Sequence, residues 1–150
     1  MIRRYRGYMD TVIATARQPY HAGSLPAPPR DAHLDLLPSS LWDQVRESWT
    51  RQEALSRVLM LRLAARAYRL EHGKAVPALT ALVPRYLRAV PEDPFASRPL
   101  TYRVVGEEVL IYSYGPDGDD DGGRSLTVPA QGSDGDLTGP LRRRQPRKPR

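Results

Sequence analysis

Residues 51–73 read RQEALSRVLMLRLAARAYRLEHG. From Leu41 to Glu71 there is neither Gly nor Pro, and Leu, Ala, Arg and Glu dominate, so the stretch predicts one long helix. Gly73 stands where a helix-terminating glycine belongs. At about 100° per residue, Leu55, Leu59, Leu63, Ala67 and Leu70 share one flank, and Val58, Leu61, Ala65 and Tyr68 another. Arg51, Arg62, Arg66 and Arg69 form a stripe between them. Two apolar flanks require two covers, a sheet on one side and an N-terminal helix on the other. The Arg stripe reads as the solvent edge of the helix, with an anion-binding surface as the alternative.

Upstream, Ile2 to Arg17 repeats apolar residues at three- and four-residue steps (Ile2, Tyr5, Met9, Val12, Ile13, Ala16), which predicts a shorter helix stopped by Pro19. Residues 18–40 contain Pro19, Pro26, Pro28, Pro29 and Pro38, whose fixed φ and missing N–H groups make a connector. Downstream, Leu79 to Val83 reads as a short helical turn ended by Pro84, and Pro91 and Pro94 bracket Glu92 and Asp93 in an irregular crossing. Leu100–Val105 and Glu108–Tyr114 read as two strands joined through Gly106-Glu107, and Ser125–Val128 as a short third strand. The organisation expected is therefore an N-terminal helix and connector over 1–40, an α+β domain over 41–138, and a disordered basic tail over 139–150.

The charge is unevenly placed. The net +6 arises from 23 cations and 17 acids, and six of the cations, Arg142, Arg143, Arg144, Arg147, Lys148 and Arg150, lie in the last ten residues. The segment 111–140 runs the other way, with one cation and six acids. The basic balance thus describes a tail more than a nucleic-acid-binding body. The tail can bind phosphate or an anionic membrane through charge, but it has no aromatic residues for base stacking. With no Cys there is no disulfide framework, thiolate zinc site or cysteine nucleophile. No apolar run reaches the length of a membrane span, and Arg3, Arg4 and Arg6 follow Met1 without a signal-type core, so the chain reads as soluble and without an export signal.

The one dense group of reactive side chains is the loop 115–123, GPDGDDDGG. Asp117, Asp119, Asp121 and Gly122 match the D-x-D-x-D-G opening of a calcium loop, whose alternate carboxylates converge on a hard cation. It is not an EF-hand: Val128 stands where the bidentate Glu is required, and Gly115-Pro116 admits no entering helix. Further carboxylates would come from Asp134 and Asp136. The alternative is a solvated turn at the end of a hairpin. His21, His33 and His72 lack metal-ligand spacing, Ser113 lacks the glycines of a nucleophile elbow, and no phosphate-binding glycine loop is present, so the chain reads as non-enzymatic.

The run Ala67-Tyr68-Arg69-Leu70-Glu71-His72-Gly73-Lys74, then Leu79 to Pro84, Tyr86-Leu87, Val90-Pro91-Glu92-Asp93-Pro94-Phe95, Leu100-Thr101-Tyr102-Arg103 and Leu110 to Gly118 resembles the C-terminal half of bacterial type II secretion major pseudopilins. A similar module ends a group of uncharacterised bacterial proteins. The resemblance implies a pilin-like long helix on a small antiparallel sheet, with a structural calcium in the loop after the last strong strand. By position, Ser113, Asp117 and Asp134 or Asp136 match the family's ligand region, while Asp119 and Asp121 are additions. The family's hydrophobic N-terminal helix has no counterpart, and Val76-Pro77 replaces its usual Tyr-Pro. A start lying upstream of Met1 would make the chain extracytoplasmic or membrane-anchored. The expected function is a structural or interaction domain for a protein partner, holding one calcium; the alternative is an adaptor for anionic surfaces or nucleic acid through the tail and Arg stripe.

Overall fold

The computed structural model describes residues 2–18, 20, 26, 39–105, 108–124 and 135–138. It is an α+β arrangement. Helix α1 spans Ile2–Ala16 and helix α2 spans Ser39–His72. A 3-10 turn follows at Leu79–Leu82, then strands β1 (Glu92–Asp93), β2 (Arg98–Pro99), β3 (Thr101–Val105) and β4 (Glu108–Tyr112). Both helices lie within two residues of the bounds expected from periodicity, the usual tolerance of a helix end. Gly73 closes α2 in the left-handed region (φ 69°), its N–H donating to the Arg69 carbonyl.

Strands β1 and β2 pair antiparallel, as do β3 and β4, whose register runs from Thr101↔Tyr112 to Val105↔Glu108. The segment expected to be an irregular crossing therefore contains a strand, at Glu92 and Asp93. A two-stranded ribbon is marginal on its own and needs a packed face. That face comes from α2: Val58, Leu61, Ala64 and Ala65 pack with Val76, Leu79, Leu82, Leu100 and Ile111 into the main core. A second, smaller cluster joins Ala54, Phe95 and Leu137, with Tyr20 packed edge-on against Phe95 at 4.8 Å between ring centres. The third strand expected at Ser125–Val128, most of the Pro-rich connector and the basic tail lie outside the described residues.

The expectation of two covers for α2 is corrected. The flank of Val58, Leu61 and Ala65 is buried, but on the other flank Leu59, Leu63 and Leu70 are 53%, 59% and 77% exposed. The physical reason is placement: Val12 and Ala16 of α1 share a groove with Trp42, Val45 and Trp49 in the first half of α2. The rest of that flank has no helix over it among the described residues. The two faces predict opposite mutational responses. Val58→Ala should cost about 2 kcal/mol through lost burial and a residual cavity, whereas Leu59→Ala should stay within about 0.5 kcal/mol. Urea unfolding of the two variants would measure both, and comparable losses would contradict the assignment of faces.

Candidate metal loop

The loop after β4 is closed on itself by a returning segment. Ser113 and Leu137 form an antiparallel bridge, the Ser113 N–H donating to the Leu137 carbonyl (3.1 Å) and the Leu137 N–H to the Ser113 carbonyl (2.9 Å). The Asp136 N–H donates to the Arg124 carbonyl (2.8 Å), and the Gly135 N–H to Asp117 Oδ2 (3.2 Å). Positive φ at Gly115, Gly118, Gly122 and Gly123 lets the chain turn this tightly. At Gly115 a side chain would also press on the Gly135 carbonyl, 3.1 Å from where a Cβ would sit.

The base of the loop hangs on Asp93. This carboxyl group is fully buried and accepts three hydrogen bonds: from Ser113 Oγ (2.8 Å), the Tyr114 N–H (2.9 Å) and the Phe95 N–H (2.9 Å). Ser113 Oγ in turn accepts from the Gly115 N–H at 3.2 Å. On strand β1 the two neighbouring acids diverge, Glu92 outward and Asp93 into the core, and the inward member fixes the start of the loop. No local signal identifies it, because Ser113 is twenty residues further on.

The four acids of the loop, Asp117, Asp119, Asp120 and Asp121, and the later Asp136 do different work. Asp120 is tied to the sheet: it accepts from Tyr112 Oη (2.7 Å), Arg103 (3.1 Å) and the Gly122 N–H (3.0 Å). The Tyr112 hydroxyl and the Gly122 N–H hold its carboxyl below the usual carboxylate range. The same pairing, added to burial, pushes the Tyr112 hydroxyl up. Asp117 Oδ1 accepts from the Asp119 N–H at 3.4 Å, and Asp119 itself is exposed. Asp136 is fully buried; its Oδ2 accepts from the Gly123 N–H at 2.6 Å, while its Oδ1 has no hydrogen-bond partner.

Burial pushes Asp136 up to about 6, against the lowering effect of the Gly123 N–H and reinforced by the charges of Asp120, Asp121 and Asp117. An acid raised in the folded state contributes stability that is present below its ordinary range and lost as pH rises through the folded value. In chelator, stability should therefore fall as pH rises from about 4 to about 6, by about 2–3 kcal/mol, and the melting temperature with it. Asp120, shifted the other way, loses its contribution only at lower pH. The slope should vanish in Asp136→Asn; an unchanged slope in that variant would assign it elsewhere.

Of the residues expected to ligate, Asp117 and Asp136 meet through the Gly135 backbone, and Asp121 contributes to the field at Asp136. The Ser113 hydroxyl donates to Asp93 and accepts from the Gly115 N–H. Asp134 and the tail cations Arg142, Arg143, Arg144, Arg147, Lys148 and Arg150 lie outside the described residues. Among the described residues, no three acid or histidine side chains stand together as a ready metal cage. Of the Arg stripe, Arg66 and Arg69 are exposed as expected, whereas Arg51 pairs with Glu47 and Arg62 donates to the Thr138 carbonyl (3.4 Å). No described helix is long and apolar enough to cross a membrane. No family model matches the chain, and neither a curated protein nor a solved structure matches it.

Proposed function

We propose that the chain is a non-enzymatic, pilin-like structural and interaction domain whose Asp-rich loop holds one calcium ion. The observation that carries this reading is Asp136: a fully buried carboxyl with an unpartnered oxygen, in the field of Asp117, Asp120 and Asp121. A buried carboxylate oxygen without a partner is costly, and a hard divalent cation relieves both the desolvation and the like-charge repulsion. Calcium accepts six to eight oxygens in flexible geometry, carbonyls included. Asp117, Asp121 and Asp136 would hold it, with Asp119 and Asp134 as further donors, while Asp120 stays with Tyr112 and Arg103. Bound there, the ion supplies positive charge that cross-links the loop 113–124 to the returning segment 135–138.

The order of elements supports the pilin-like part: one long helix, a short turn, then small antiparallel strands packed on that helix. The experiment is the thermal stability of the chain and of Asp136→Asn, with and without calcium. Stabilisation confined to the parent supports the reading, and equal melting temperatures in calcium and in chelator would overturn it.

A further inference from the structure

The face of α2 opposite the core exposes large apolar side chains, Leu59, Leu63 and Leu70 among them. Val58, Leu61 and Ala65 point into the domain, and about 180° away, at 3.6 residues per turn, lies a second row: Leu59, Leu63, Ala67 and Leu70. This row repeats at i, i+4, i+8 and i+11, the spacing of a helix–helix seam. It is also concave. Leu59, Met60, Leu63 and Ala67 form one wall of a groove of about 460 Å³, and Tyr86 and Leu87 form the other.

The sequence of the elements that line the groove is rich in cations, with Arg57 paired to Glu53. From Ala54 to Pro91 the sequence carries seven cations and one carboxylate, and that carboxylate, Glu71, is already engaged by Arg85 (2.8 Å) and Tyr86 Oη (2.6 Å). Arg62, Arg66 and Arg69 run along one edge of the apolar row, while Arg85 and Arg88 bracket Tyr86-Leu87 in the chain. An apolar trough with exposed Arg66 beside the Leu row and Arg85 over the Tyr86 ring (5.8 Å) fits an amphipathic helix with an apolar stripe and acidic flanks. The concave wall at Tyr86 and Leu87 favours such a rod over a flat lipid surface. We propose that this groove docks an acidic amphipathic helix of a protein partner, independently of whether the Asp-rich loop holds calcium.

The test uses the whole chain and two labelled peptides of about four heptads, both with Leu along one stripe, one flanked by Glu and the other by Lys. Fluorescence anisotropy should detect binding of the Glu peptide and not of the Lys peptide. Leu63→Ser and Arg66→Glu should each weaken the Glu peptide at least tenfold, and Arg66→Glu should improve the Lys peptide. Both positions are exposed, so circular dichroism should report unchanged helix in each variant. Equal binding of the two peptides, no binding of the Glu peptide, or full binding by Leu63→Ser would overturn the proposal. So would dimerisation of the parent, or its binding to phosphatidylglycerol vesicles, if either were abolished by Leu63→Ser, because the face would then belong to a second copy or to a membrane.

Discussion

Asp93→Ala should lower the unfolding free energy by about 3–5 kcal/mol, the scale of removing one partner from a buried charged network. Three donors lose their acceptor together: the Phe95 N–H beside β1, and Ser113 Oγ and the Tyr114 N–H beyond β4. None can turn to water, because Phe95, Ser113 and Tyr114 are themselves buried. Each hydrogen bond to a charged group is worth about 1.5–3 kcal/mol, and the total is held below their sum by relaxation around the missing side chain. Asp93→Asn keeps the volume but supplies one acceptor oxygen and sets an amide donor against a donor, so it should recover only part of the loss. Asp119→Ala, at an exposed site, should stay within about 0.5 kcal/mol. Chemical denaturation of the three variants checks the ranking, and a cost at Asp93 no larger than that at Asp119 would show that the loop does not hang on this residue.

Calcium should stabilise the chain by a similar amount. An ion that binds only the folded state adds about 2.7 kcal/mol at a hundredfold excess over its dissociation constant and about 4.1 kcal/mol at a thousandfold excess. For a domain of this size that corresponds to about 10 °C or more in melting temperature. Asp136→Asn should show two opposite changes. Without metal at neutral pH it should be more stable than the parent, because the buried charge is gone while its volume remains. With calcium it should gain nothing. The crossing of the two proteins in stability between chelator and calcium is a signature that a purely structural Asp136 would not produce.

The elements that rest on local chemistry were legible from the residues alone. A Gly- and Pro-free run makes α2, a left-handed Gly73 ends it, and the strands on either side of Gly106-Glu107 pair in the register expected of a short hairpin. Within the acidic loop, Asp120 points to Tyr112 and Arg103. What escaped depends on partners far along the chain. Asp93 meets Ser113 across twenty residues, and Tyr20, inside a proline-rich stretch, finds Phe95 in the second core cluster. Periodicity located both apolar faces of α2, but periodicity records only which residues share a face. Which face is covered depends on where the turn at Leu79–Leu82 and the strands pack, and that is decided by tertiary contacts.

The most direct measurement is a calorimetric titration of calcium into the metal-free chain at neutral pH, repeated with Asp117→Ala and Asp136→Asn. The account predicts a single site with one ion per chain, absent in Asp136→Asn and weakened at least tenfold in Asp117→Ala. No heat at millimolar calcium, or an unchanged isotherm in Asp136→Asn, would contradict it and leave the Asp-rich loop as a turn held together by Asp93, Asp120 and the Ser113–Leu137 bridge alone.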